Sequence, residues 1–252
     1  MSHHKIEVNG LKYQYTDGRQ ALNGVNFLIT HGQSVGIVGA NGAGKSTLLM
    51  HLVGILFPNE GEVNVGDVPV TKKTLPVIRQ SVGMVFQNPD DQLFMTTVYD
   101  DVAFGPRNYQ LPEEEVQKRV QEALDTVGVL HLKGRPPYKL SGGEKRAVAI
   151  ATVLAMKPDV LVMDEPTSAL DPKSRRRLIK LLQGFTHTKI ITSHDMDMVF
   201  ELCERTIVLK DGKVAADGPT MEILKNRELM EECSLEVPLT LQACPVCGRN
   251  NI

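Results

Sequence analysis

The sequence predicts an α/β fold in which a core of mixed and parallel sheet carries an N-terminal antiparallel β-subdomain and an inserted α-helical subdomain. Three observations predict it. Gly39-Ala40-Asn41-Gly42-Ala43-Gly44-Lys45-Ser46-Thr47 fits the pattern G-x-x-x-x-G-K-[ST] at every required position, between a strand-like run at 34–38 and a helix-like run at 46–54 with Leu48, Leu49, Leu52 and Val53. The first forty residues alternate apolar and polar side chains, as antiparallel strands do. From about residue 88 to 139 the pattern becomes helical, with Val116, Val120, Leu124 and Val127 recurring at i, i+4, i+8 and i+11.

In chain order, Ile6 and Val8 alternate, then Val25, Phe27 and Ile29, with turn signals at Asp17-Gly18 and His31-Gly32. Leu11, Tyr13 and Tyr15 share one face by period two. Two readings follow from that spacing: both tyrosines pack in a core, or Tyr15, at its strand's end, offers a ring on which a base stacks. In the 39–47 loop, glycines let successive N–H groups turn toward phosphates at a helix N-terminus, where the dipole favours negative charge. Lys45 supplies a cation for the outer phosphates, and the Ser46 hydroxyl supplies a ligand for Mg²⁺. The core is thus a P-loop NTPase core that binds a nucleoside triphosphate.

Beyond that helix, Glu60-Gly61 and Gly66-Asp67 punctuate a short hairpin. Residues 82–86 read as a buried strand that ends at Gln87, the end at which an open α/β sheet binds ligands. Pro112 and Gly128 bound the helix that follows. Leu140-Ser141-Gly142-Gly143-Glu144 opens a helix with an apolar face through Ala147, Ile150, Ala151 and Leu154, stopped by Pro158. Ser141 and Glu144 are spaced as a capping box, and two glycines beside a helix N-terminus also make a second anion cradle. The apolar run 160–163 leads straight into Asp164-Glu165-Pro166. There Asp164 can hold Mg²⁺ through water while Glu165 polarises a nucleophilic water; adjacent carboxylates are costly unless a cation compensates them.

Asp171-Pro172 starts a further helix as N-cap and first turn. A strand at 189–192 brings Ser193-His194 to another strand's C-terminal end, where a histidine can act on a ligand. A hairpin turning at Asp211-Gly212 and one helix over 220–232 complete the pattern.

A chain of 252 residues can form one large domain with a small satellite. Its formal net charge of −2 leaves no electrostatic footprint for nucleic acid, which is excluded as a partner. Lys173, Arg175, Arg176 and Arg177 form a dense basic run that reads as a solvated helix face. No stretch approaches the roughly 20 apolar residues of a membrane span, the longest candidate being 147–156. Lys5, Glu7 and Lys12 interrupt any apolar start, so a cytosolic chain with reduced cysteines is expected. Cys203 reads as helix core.

In sum these motifs resemble, in order and spacing over residues 5–232, the ATP-binding subunit of an ABC transporter. The 39–46 loop is similar to Walker A, Gln87 to the Q-loop, and Leu140 to Glu144 to the LSGGQ signature with glutamate in the last place. Residues 160–164 resemble the Walker B strand, and Ser168-Ala169-Leu170-Asp171 the D-loop. The resemblance implies Glu165 as catalytic base, His194 as switch histidine, Tyr15 as adenine-stacking aromatic, and Ser46, Gln87 and Asp164 around Mg²⁺. Residues 39–47 would hold ATP together with Ser141, Gly142 and Gly143 of a second ATPase subunit, most simply another copy of this chain.

Gln87-Asn88-Pro89-Asp90-Asp91-Gln92-Leu93-Phe94 resembles the extended Q-loop of energy-coupling factor ATPases. The segments 142–150 and 153–157 look most like their cobalt and nickel importer branch. That implies an ATPase domain over 1–235, with a helical signature subdomain at 88–157, working on integral-membrane subunits at the cytoplasmic face. The alternatives are a vitamin-type energy-coupling factor ATPase and, in a different class, a soluble non-transport ABC ATPase. Against the latter, the chain carries neither a second cassette nor an inserted coiled coil. A nucleotide-gated regulator would lack Glu165 or His194, and both are present. In the tail, 236–252, Cys244-Pro245-Val246-Cys247 has the spacing of half a zinc site; two tails of a homodimer could complete it, and the alternative is a disordered end with two reduced thiols. His3-His4 is too short to define a site.

Overall fold

The computed structural model describes residues 5–242; His3, His4, Cys244 and Cys247 lie outside the described residues. The chain opens with β1 (Ile6–Gln14), β2 (Gln20–Ile29), β3 (Ser34–Val38), α1 (Lys45–Leu52), β4 (Glu60–Val65), β5 (Val68–Pro69) and α2 (Leu75–Ser81). Next come β6 (Val82–Val85), α3 (Val98–Asn108), α4 (Glu113–Thr126), α5 (Gly142–Leu154), β7 (Val160–Asp164) and α6 (Pro172–Gln183). It closes with β8 (Thr188–Thr192), α7 (Met196–Leu202), β9 (Arg205–Lys210), β10 (Lys213–Pro219), α8 (Thr220–Lys225) and α9 (Arg227–Glu232). Two compact units result: residues up to Arg79 together with those from His187 on, and Gln80–Thr186. The expected helical subdomain, 88–157, lies inside the second.

In the first unit, β1 pairs antiparallel with β2 and β4, and β4 with β5. This is the antiparallel sheet that the early alternation predicts, with Ile6, Val8, Leu11, Val25 and Ile29 buried. β3 runs parallel to both β8 and β9, and β9 turns back antiparallel into β10. Every residue of β3 and β8 is buried, as expected of parallel strands covered on both faces. The register sets Ile37 beside Thr192 and Ile207. The C-terminal ends of β3 and β8 therefore open side by side, which places the 39–44 loop next to Ser193-His194.

In the second unit β6 and β7 are parallel, with Val85 beside Met163, so Gln87 and the Asp164-Glu165 pair leave the same end. α3, α4 and α5 pack on one another. The stripe Val116, Val120 and Leu124 is fully buried, as its helical spacing predicts. At roughly 25 cal/mol per Å² of apolar surface removed from water, such a stripe holds α4 in place.

Three local expectations are corrected. The single helix over 220–232 is two helices. Asn226 leaves helical geometry at φ −76, ψ 90, and its side chain accepts from the Leu229 N–H to start α9, as asparagine favours caps over helix interiors. Strand β6 ends at Val85, so Gln87 stands two residues past it, exposed. Cys203 follows α7 as its C-cap; it is buried, and burial pushes its thiol up to about 12. α2 and α7 went unread because each is only seven residues long, too short for a period to show. Among the described residues no helix is long and apolar enough to cross a membrane.

Candidate nucleotide and coupling site

The phosphate loop is held open by its glycines. Gly42 (φ 82) and Gly44 (φ 103) lie in the left-handed region. A Cβ at Gly44 would sit 2.5 Å from the Ala21 carbonyl oxygen, whereas at Gly42 it would meet nothing within 4 Å. The second β-hairpin strand thus presses on the root of α1 while the crown of the loop stays bare. α1 begins at Lys45 with no side-chain cap on its N-terminus, which leaves backbone N–H groups to serve an anion.

The Lys45 ammonium donates to the Gly39 carbonyl at 2.8 Å and the Ala40 carbonyl at 3.2 Å, and it reaches His194 Nε2 at 3.2 Å. Lys45 is buried and His194 exposed. The cation is therefore preset in the loop, and His194 touches it from the neighbouring strand end. Ser46 is half-buried on the first turn of α1.

Both Tyr13 and Tyr15 are half-buried, so neither is a core residue. The Tyr15 hydroxyl bonds Thr47 Oγ1 at 2.9 Å, its ring meets Tyr13 edge-on at 5.0 Å, and the Arg19 guanidinium lies 4.8 Å from its centroid. Sequence reasoning missed this tie between strand and loop, and also His51. That histidine is fully buried, burial lowers its pKa from the ordinary value, and its Nδ1–H donates to the Thr47 carbonyl at 2.7 Å.

In the second unit, Asp164 and Glu165 are buried at the end of β7. Glu165 adopts φ 46, a conformation that costs a non-glycine residue about 1–2 kcal/mol. At the head of α5 the capping box is present in full: the Ser141 N–H and Oγ–H each donate to Glu144 Oε2 at 2.8 Å, and Ser141 Oγ accepts from the Glu144 N–H at 3.4 Å. These bonds hold the Glu144 carboxyl below its ordinary range. Ser141 and Gly142 are exposed.

Gly143 packs against α6, where a Cβ would fall 2.7 Å from Ser174 Oγ. Ser174 in turn donates to Asp171 at 2.6 Å, and Asp171 caps α6 through the Lys173 and Ser174 N–H groups. No sequence signal links these two caps. Further along, Phe94 (64% exposed) and Phe104 (40%) form an edge-to-face pair at 4.9 Å. Buried Asp101 fixes the loop of Phe94 to α3, which carries Phe104, by accepting from the Phe94 and Met95 N–H groups at 2.9 and 3.0 Å.

Taken singly, Ser46 carries a hydroxyl, Gln87 an amide oxygen and Asp164 a carboxylate, each a hard oxygen donor of the kind that suits Mg²⁺. Among the described residues no cluster of three His, Cys, Asp or Glu could hold a metal, and the Cys244/Cys247 zinc expectation lies outside them.

The family model "ABC transporter" matches residues 22–168. A protein of Geobacter sulfurreducens that bears the name ABC transporter ATP-binding protein is 65% identical, covering 99% of this chain and 100% of its own. An energy-coupling factor transporter ATP-binding protein, EcfA, of Methanothermobacter thermautotrophicus is 48% identical over 93% of this chain and 77% of its own. The solved structure of CbiO1 from Clostridium perfringens, part of the ABC transporter complex CbiONQ, superposes with a TM-score of 0.80 at 42% identity, over 91% of this chain and 94% of that one. A P-loop on a parallel strand, a capped Leu-Ser-Gly-Gly-Glu helix and these similarities lead to one conclusion: this chain is an ABC ATPase and belongs to the ABC transporter ATP-binding family.

Proposed function

We propose that this chain is the ATP-hydrolysing subunit of an energy-coupling factor ABC transporter, powering uptake of a small solute, cobalt or nickel ion. The observation that carries the ATPase part is the contact of Lys45 with two carbonyls of its own loop and with His194. Residues 39–47 take the phosphates, with Tyr15 beside the base. Ser46, Gln87 and Asp164 serve Mg²⁺, which when bound shields the phosphate charge. Glu165 accepts the proton of the attacking water, and His194 orients the outer phosphate. Ser141, Gly142 and Gly143 are offered to a nucleotide held by a second subunit, so that ATP closes a dimer and hydrolysis reopens it.

The exposed pair Phe94 and Phe104 supports the membrane side of this reading, since an aromatic patch made by a tightly bonded loop and the helix α3 suits docking to helices of a membrane partner. The chain then works as a peripheral subunit at the cytoplasmic face. The similarity to CbiO1 supports the metal-ion cargo. Cellular accumulation of radioactive cobalt and nickel tests it: deleting the gene should abolish uptake, and the wild-type chain but not Glu165→Gln should restore it. Unchanged metal uptake with loss of another solute would overturn the cargo and keep the ATPase.

A further inference from the structure

We infer that Arg146 is a positioning residue: from the signature helix it fixes the backbone of Gln87, and so carries the state of the Ser141–Gly143 end to the Mg²⁺ side of the site. Arg146 stands one turn into α5 and is 3% exposed. Its Nη1 donates to the Phe86 carbonyl at 2.6 Å, and its Nη2 to the Gln87 carbonyl. One planar fork thereby spans two successive carbonyls at the root of the Q-loop, a geometry that a lysine ammonium or a glutamine amide cannot reproduce.

Burial pushes this guanidinium below its ordinary value, and the charge of the Asp164 carboxylate opposes that shift. Two further ties bind the segment to α5. Lys145 bonds Asp90 at 2.6 Å. The Gln92 side chain accepts from the Phe86 N–H at 3.2 Å and donates to the Ala149 carbonyl and Thr152 Oγ1 at 2.8 and 2.7 Å. Those ties end at Phe86 or beyond Asn88. Arg146 alone among the described residues of α5 grips Gln87 itself, and it does so with a buried charge that cannot relax into water. A displacement of the head of α5 by a bound phosphate thus reaches Gln87 through a rigid helix and one guanidinium.

The inference rests on the role proposed for Gln87, and a double-mutant cycle on Mg-ATP turnover of the full chain separates the two. Arg146→Gln should lower kcat roughly 10- to 100-fold and leave the KM for ATP within about twofold, as for a group misplaced rather than removed. Gln87→Ala should lower kcat similarly, and adding Arg146→Gln to it should cost no more than about a further twofold, because both act through one contact. Arg146→Lys, which can reach one carbonyl, should fall between, and it replaces Arg146→Gln in the cycle should the latter not fold. Losses that multiply in the double variant overturn the inference while Gln87 keeps its role. Full turnover in Gln87→Ala removes both.

Discussion

Glu165, the proposed base, is buried directly after β7. Its sequence neighbours, Asp164 and Pro166, and the apolar strand before it made two carboxylates at a strand end legible. What the sequence hid was the backbone: φ 46 is a left-handed conformation that no propensity of glutamate suggests. Strain of this kind persists where the surrounding structure over-determines it, and here the buried strand β7 does so. If Glu165 is the base, Glu165→Gln keeps the shape and loses only proton acceptance. Turnover should then fall by roughly 10²- to 10⁴-fold with ATP affinity retained, measured by phosphate release and nucleotide titration. A variant with unimpaired turnover would remove Glu165 from the mechanism. The residue-scale contacts that sequence could not supply, Lys45 with His194 and Tyr15 with Thr47, join positions 149 and 32 apart. The parallel register of β3 and β8 brings the first pair together, and the second joins the residue after β1 to α1.

At the scale of elements, α5 was the most legible part of the chain. Serine three residues before glutamate specifies reciprocal capping, and both bonds are present. The cap carries a pH signature. Because Glu144 is held below the ordinary carboxylate range, its stabilisation is complete above the unfolded value of about 4.3 and is lost as pH falls through the lower folded value. The gap in melting temperature between wild type and Glu144→Gln should therefore be widest near neutrality and close on acidification below about pH 4. A gap independent of pH would show that the carboxylate charge plays no part. The single helix predicted over 220–232 divides in two for a related reason. Its apolar positions continue across Asn226, but the local side-chain bond to Leu229 N–H outweighs the period and restarts the helix. Short elements such as α2 and α7 leave too few repeats to read, whereas α4, fourteen residues long, was clear from its buried valines and leucine.

For the whole molecule, the order of motifs along the chain prescribed the architecture well: antiparallel strands, phosphate loop, helical segment, carboxylate strand, histidine strand. The division into two compact units was not legible: the chain leaves the first at Gln80 and returns at His187, so the second holds β6 and β7 as well as the helices of 88–157. Interactions between caps, such as Gly143 against Ser174, could not be read, because they depend on how α5 and α6 meet rather than on either sequence alone. The central claim also lives at this scale. Ser141 and Gly142 are exposed at the head of a capped helix, where they are proposed to meet a nucleotide held by another subunit. Sedimentation velocity of Glu165→Gln with and without Mg-ATP tests it most directly. The expected result is a dimer that forms only with ATP and disappears when Ser141→Arg is added; an ATP-dependent dimer that survives Ser141→Arg would rule out the shared site.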